Sequence, residues 1–347
     1  MFIRSALHTA LFLGGLLSTA AWLRSLDTLP WWSFTRSRVH HAASQLTSHD
    51  TLFFGSSRFN FGLIPSEFDE RMKELGLTTK AFNVSNSGTR THDISELAQW
   101  FAAQRPSTIR HAIIELWDWD PGEVGTNWMT DIRIEAHTLR QLPHRLQSIL
   151  LLNPTFGARA EKAYFALCHT AVNYLRIGQG PRLVEDWLLS TQGKPPLGAW
   201  PVQDGGWKDV VAIAWPATVA EHKAMVANPK PTDDILAHRL TQNVLPVLLP
   251  GWNDAAFDQM DRALRAAGIE PIYVTPPQLG NFFQGRGAIP ELAKRAIVLD
   301  LDDPKAHPEL FRRELWYDRS HMNREGAKFF SRYLAEQVHT ALAKRPH

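Results

Sequence analysis

Two short segments far apart in the chain carry residue types that can do nucleophilic chemistry. The first is Gly55-Ser56-Ser57-Arg58. A serine hydroxyl is a weak nucleophile alone; it needs a base within hydrogen-bond reach and donors for the oxyanion that develops. The second segment is Trp316-Tyr317-Asp318-Arg319-Ser320-His321-Met322-Asn323. Asp318 and His321 stand three apart in what reads as a turn, so they can face the same way. The carboxylate then orients the imidazole while the other ring nitrogen takes the serine proton. Together the segments spell a triad in chain order, with Ser57 as nucleophile, Asp318 as orienting acid and His321 as base. Neither motif is specific alone, because Gly-Ser-Ser turns and Asp-x-x-His pairs arise readily by chance. Their placement makes the case: one ends the first apolar strand of the body and the other precedes the last helix. The alternative is a Ser57 that merely turns the chain and an Asp318 that caps a loop.

The elements that must hold these segments follow a strand, turn, helix rhythm. Thr51 to Ser57, Lys80 to Ser85, His111 to Trp117, Pro271 to Thr275 and Ala296 to Leu301 read as short buried strands. Between them, Ser66 with Asp69 is expected to cap a helix ending at Gly76. Asp93 with Glu96 opens a second helix, a third runs from Trp252 to Gly268, and EGAKFFSRYLAEQVHTAL closes the chain. Strands alternating with helices imply an α/β fold with a flavodoxin-like, doubly wound parallel sheet of five strands, whose sites lie at the carboxyl ends of the strands. The rhythm fails over residues 121–231, which read as a helical and irregular insertion in a catalytic domain spanning 50–345. Asp118 and Asp120, after the third strand, fall at the expected active edge. They could bind a substrate hydroxyl, pair with Arg58, or sit in a solvated loop.

The chain has 347 residues, 44% hydrophobic, and a net charge of +2, which gives no basic excess for a nucleic-acid partner. It has no P-loop, no dinucleotide-binding glycine fingerprint and no cysteine pair, so no cofactor is expected and Cys168 cannot form an internal disulfide. No metal site is expected either: Asp300, Asp302 and Asp303 read as turn residues, and His40, His41 and His49 lack partners at zinc spacing. Ala6 to Leu23 contains no Asp, Glu, Lys or Arg, and at ~1.5 Å per residue it reaches about 27 Å, close to a hydrocarbon core. Residues 1–25 therefore read as a single membrane anchor, or as a signal peptide cleaved near Ser18-Thr19-Ala20, with 26–49 as a linker. Either reading exports the body, with the anchor's N-terminus cytoplasmic. Tryptophan is in excess, 13 against 5 Tyr. Trp22, Trp31 and Trp32 fit a membrane boundary, and Trp117 and Trp119 flank the third strand's end. Trp187, Trp200, Trp207 and Trp215 fall in the insertion, where stacking on sugars and core packing remain equally open.

FFGSSRFNFGLIPSEFD, FNVSNSG and WYDRSHMNREGAKFFSRYLA together resemble the SGNH/GDSL hydrolase superfamily. More closely they resemble its exported, membrane-anchored acyltransfer branch, which holds the D-alanyl transfer protein of teichoic-acid alanylation and the alginate O-acetylation proteins. The resemblance covers about residues 50 to 120 and 255 to 345 and leaves the insertion unexplained. It implies the same triad, with Ser56 where Gly-Asp-Ser hydrolases carry Asp, beside Gly55 and Arg58. It also implies an oxyanion donor from the second block, at Ser85 or Gly88. The third block's Gly-x-Asn is absent, replaced by Glu115-Leu116-Trp117-Asp118-Trp119-Asp120. The function implied is an extracytoplasmic O-acyltransferase, anchored in the cytoplasmic membrane, that moves an acyl group, acetyl foremost, onto hydroxyls of a cell-envelope polysaccharide. Its acyl donor would come from a multi-spanning membrane O-acyltransferase. A deacylating esterase and a non-catalytic glycan-binding or assembly scaffold are the alternatives.

Overall fold

The computed structural model describes residues 2–26, 36–116, 134, 136–152, 155–194, 204–213, 216–241, 254–280 and 292–344. In chain order it contains α1 (Phe2–Leu26), α2 (Arg36–Ser44), β1 (Thr51–Phe54), α3 (Ser57–Gly62), α4 (Pro65–Glu74), β2 (Ala81–Asn83), α5 (Thr91–Ala103) and β3 (His111–Glu115). Then come α6 (Leu142–Leu152), α7 (Phe156–Leu175), α8 (Gly180–Thr191), α9 (Val210–Ile213), α10 (Pro216–Ala227), α11 (Lys230–Thr241), α12 (Asp254–Ala266), β4 (Glu270–Thr275), β5 (Ile297–Asp300) and α13 (Arg324–Ala343). The chain divides into two compact units, Met1–His40 with Gly122–Pro201 and His41–Pro121 with Val202–His347. The tract 121–231 is therefore shared between them.

The second unit is an α/β layer structure. Its five strands are all parallel, in the order β2-β1-β3-β4-β5. Alternate side chains leave the sheet on opposite faces. Phe53, Ile113, Ile272 and Val274 enter one core with Phe68 of α4 and Phe330 of α13. On the other face Phe54 meets Phe101 of α5 edge-on at 5.6 Å, and Tyr273 lies 4.6 Å from Phe257 of α12. Phe53, Phe54, Phe68 and Phe101 are at most 1% exposed, and each such ring contributes about 1.5–3 kcal/mol. The chain moves from β1 outward to β2 and then returns past β1 to β3. The carboxyl ends of β1 and β3, where the order reverses, are the place at which open α/β sheets bind ligands.

The elements differ from the sequence expectations in detail. The first strand stops at Phe54, and Ser57 already begins α3. Ser66 is not a cap: Pro65, whose fixed φ suits a first helical turn, starts α4 after an Ile64 N-cap that makes no side-chain bond. Asp69 instead accepts the Thr79 hydroxyl at 2.7 Å and the Ala81 N–H at 3.0 Å, fastening α4 to β2. At the next helix Asp93 does act in capping, by accepting the Arg90 N–H at 2.8 Å.

The first unit contains α1, whose segment Ser5–Leu26, with mean hydropathy 1.4, is long and apolar enough to cross a membrane. Near its end, Leu23 packs against Gly180 and the Arg24 guanidinium lies 4.7 Å from the Tyr174 ring centre. Helices α6 and α7 pack on each other through a polar seam. Gln141 and, on α6, Arg145 and Ser148 are fully buried, and so are His169 and Thr170 of α7.

The tryptophans separate accordingly. Trp22 and Trp187 are exposed, whereas Trp207 is a core residue at 6% exposure whose indole N–H donates to the Phe61 carbonyl at 2.7 Å. Trp31, Trp32, Trp117, Trp119, Trp200 and Trp215 lie outside the described residues.

Candidate active site

Ser57 stands at the first turn of α3, three residues beyond β1, and is half-buried. Backbone N–H groups in a first helical turn have no partner within the helix; here Ser56 Oγ caps the turn by accepting the Arg58 N–H at 3.3 Å. His321 Nε2 lies 2.8 Å from Ser57 Oγ. On the other side of the ring, His321 Nδ1 donates to Asp318 Oδ2 at 2.8 Å. With Nδ1 committed to a carboxylate, Nε2 is left as the acceptor for the serine proton. The structure thus brings together the three residues read from the sequence as a triad.

The loop that presents Asp318 and His321 is locally determined. Asp318 Oδ1 accepts the backbone N–H groups of Ser320 at 2.7 Å and His321 at 2.8 Å. The Tyr317 N–H closes the turn onto the His321 carbonyl at 2.9 Å, and Trp316 bridges Met322. Asn323 then caps α13 by accepting the Gly326 N–H at 2.9 Å. From outside, α10 holds the same loop: Glu221 pairs with Arg319 at 2.8 Å, and His222 stacks flat on Tyr317 at 4.2 Å. His222 Nδ1 also donates to the Tyr317 carbonyl at 2.6 Å. The Phe61 ring meets His321 edge-on at 5.3 Å and limits the imidazole's tilt.

The turn bearing Ser57 is governed by a residue the sequence reading passed over. Glu115, the last residue of β3, is completely buried. It accepts the Ser56 N–H at 2.6 Å, the Ser56 hydroxyl at 2.7 Å and both Arg58 Nε and Nη2 at 2.9 Å. A carboxylate closing an apolar, β-branched strand was the available signal, because such a group is stable only with charge or several donors around it. Gly55 is required by space: a Cβ there would stand 2.6 Å from Glu115 Oε2 and 2.6 Å from Phe59 Cβ. Arg58 continues the network to Gln278 Oε1 at 3.4 Å. Gln278 is in turn fixed by its N–H to Asp302 at 3.1 Å, and Asp302 pairs with the buried Arg239 at 2.9 Å.

The remaining sequence candidates are placed as follows. The Ser85 N–H is taken by Asn83 Oδ1 at 3.0 Å and its hydroxyl by the Phe53 carbonyl at 3.4 Å, so its donors already serve the strand end. Gly88 sits exposed in a turn at φ 81°. Asp118 and Asp120 lie outside the described residues. Asp300 ends β5 and accepts the Thr275 hydroxyl from β4 at 2.6 Å, besides the Asp302 N–H at 3.3 Å, and Asp303 accepts the Lys305 N–H at 2.9 Å in a local turn. Among the described residues no group of three or more His, Cys, Asp or Glu is arranged to hold a metal ion. Two buried side-chain amides at the carboxyl edge, Asn86 and Gln278, each keep a nitrogen without a partner. The Asn86 backbone N–H donates to the Gly55 carbonyl at 3.0 Å, which ties it directly to the turn before Ser57.

Neither a protein-family model nor a curated protein sequence matches the chain.

Proposed function

We propose that this protein is a membrane-anchored serine acyltransferase of the SGNH type, acting outside the cytoplasm on hydroxyls of a cell-envelope polysaccharide. The observation that carries the reading is the continuous relay Ser57 Oγ, His321 Nε2, His321 Nδ1, Asp318 Oδ2, with both links at 2.8 Å. The parallel five-stranded order, with Ser57 after β1 and the Asp-His loop before the last helix, agrees with the resemblance described above. Helix α1, long and apolar enough to cross a membrane, supports the anchored reading.

Ser57 Oγ attacks the carbonyl carbon of an ester or thioester delivered by a membrane O-acyltransferase partner, and its proton passes to His321 Nε2. The tetrahedral intermediate collapses, the donor's alcohol or thiol departs with that proton, and an acyl-serine remains. A sugar hydroxyl then gives its proton to His321, attacks the acyl-serine and restores the free serine, a ping-pong sequence. The oxyanion is held by the Ser57 N–H and by the spare amide N–H of Asn86, which stands in for the donor that the missing third block would give.

The test uses the full-length protein in detergent with a fluorophosphonate probe. Covalent labelling that disappears in Ser57→Ala is expected, together with loss of envelope-glycan acylation in cells carrying only that variant. Labelling absent from the native protein, or glycan acylation undiminished by Ser57→Ala, overturns the reading. Probe labelling combined with ester hydrolysis that added oligosaccharide does not divert would make the protein an esterase instead.

A further inference from the structure

Two helices of the first unit carry polar side chains inward and a row of apolar ones outward. Along α7, Phe156, Ala160, Tyr164, Leu167, Ala171 and Tyr174 recur at spacings of three and four, and all six are exposed. Positions so spaced form one stripe along a helix. The opposite face, with His169, Thr170 and Asn173, is the buried one. Helix α6 repeats the inversion, since Arg145 and Ser148 are buried while Leu150 and Leu151 are more than half exposed. Two of the buried polar side chains bond to backbone within the unit: Asn173 donates to the His137 carbonyl at 3.0 Å and Arg145 to the Ala136 carbonyl at 3.2 Å. A unit that spends its polar groups inward and offers Leu, Tyr and Phe outward is matched to an apolar surrounding, as in proteins whose medium is lipid.

The position of the stripe says which apolar surrounding. Its C-terminal end, Tyr174, lies under the Arg24 guanidinium at the end of α1, and Leu23 packs on Gly180 at the start of α8. If α1 spans the bilayer, its last turn is at the headgroup level, and the exposed stripe begins there. Helix α7 cannot itself span, because Arg159, Glu161 and Lys162 occupy its first two turns. A helix with one apolar aromatic face and flanking basic residues lies in the interface plane, its apolar side about 5–10 Å deep in the headgroup and acyl boundary. We propose that α7 and the adjoining exposed residues of α6 and α8, Trp187 included, seat this unit in the outer surface of the bilayer that α1 crosses. This rests on α1 being a membrane span.

The full chain carrying Cys168→Ser receives a single cysteine at Ala160, Leu167, Phe12 or Glu325, each labelled with an environment-sensitive fluorophore. Each form is then reconstituted in phosphatidylethanolamine and phosphatidylglycerol vesicles. The Phe12 position reports on the span and the exposed Glu325 position on α13 is the aqueous reference. Labels at Ala160 and Leu167 are expected to shift to the blue and to lose emission to shallow spin-labelled lipids more than to deep ones. Glu325 is expected to respond only to aqueous iodide. Quenching at Phe12 without quenching at Ala160 and Leu167 overturns the proposal while leaving the span intact. In that case iodide access means a stripe facing water, and protection from both quenchers means a stripe covered by protein. A Phe12 label reached by iodide and not by lipid removes the span and the proposal together.

Discussion

Glu115 Oε2 accepts the Ser56 N–H at 2.6 Å while its Oε1 accepts the Ser56 hydroxyl at 2.7 Å, so the end of β3 is keyed into the turn after β1. Adjacent parallel strands normally share only backbone bonds at this point. Here a buried carboxylate adds a second register, one that fixes the residue just before Ser57 and, through Arg58, the residue just after it. The angle at which Ser57 stands at the carboxyl edge is therefore set from β3 as much as from β1.

Glu115→Gln keeps the shape of this key and removes its charge, leaving the largely buried Arg58 guanidinium without its counter-ion. Breaking a buried pair by neutralising one partner costs about 3–5 kcal/mol. Glu115→Gln is expected to lower the urea midpoint of the full-length protein by a corresponding amount. The double variant Glu115→Gln, Arg58→Met should recover part of the loss, because the stranded charge is gone. Equal destabilisation by the single and double variants would show that the pair is not a unit.

Asp318→Asn tests the relay. The asparagine can still accept the Ser320 and His321 N–H groups, so the loop persists. Its amide, however, cannot accept a proton from Nδ1 where the carboxylate did, and the imidazole turns to the tautomer that cannot take the serine proton. A fall in the fluorophosphonate labelling rate of about 10⁴-fold is expected with an unchanged melting temperature. A rate within a factor of about ten of the native protein would remove Asp318 from the mechanism.

Asn86→Ala tests the oxyanion assignment. Loss of one donor costs about 10²–10³ in turnover, with little effect on KM for the acyl donor. The same substitution at Gln278 is expected to act more weakly, since Gln278 reaches the site through Arg58. The reverse ranking would move the donor role to Gln278.

Burial holds the imidazoles of His49 and His111 below their ordinary value of 6.5, and at His49 the neighbouring Lys80 charge adds to the effect. The folded protein therefore binds fewer protons than the unfolded chain once pH drops below that value. The stability these groups contribute is complete above about pH 6.5 and is lost as pH falls through it toward their folded values. The urea midpoint should decline between about pH 7.5 and 5.5, and His111→Gln should flatten that decline. Burial raises Asp69 in the opposite sense, an effect confined to the acid range near its ordinary value of 3.8. A midpoint that holds or rises on acidification to about pH 5.5 would contradict the assignment.

Much of the sheet and the triad could be read from residues alone because both depend on local patterns. Apolar runs ending in small residues locate β1, and an Asp three residues before a His in a turn locates the pair. What could not be read depends on partners distant in sequence. Glu115 meets Ser56 59 residues away, and nothing local says that a charge ending an apolar strand has found donors. Trp207 looked equally suited to sugar and to core until Phe61 supplied its acceptor. Periodicity also marks the stripe on α7 without saying which side of the helix is inside, and there the usual assumption of apolar-in fails. Ser66 was misread because a proline one residue earlier fixes the helix start more strongly than a hydroxyl does.

Asp318 and His321 owe their pairing to four consecutive residues and two backbone bonds, so that half of the site assembles as a local event. The relay itself then needs one long-range meeting, between Ser57 and a histidine 264 residues further along, beside the contacts that Phe61 and α10 make with the same loop. Closing so long a loop is entropically costly and slow relative to local turns. The Ser57 hydroxyl has no base until residues 316–323 reach the sheet. A chain synthesised only as far as residue 316 therefore carries an inert serine, and its reactivity arrives with the segment that follows.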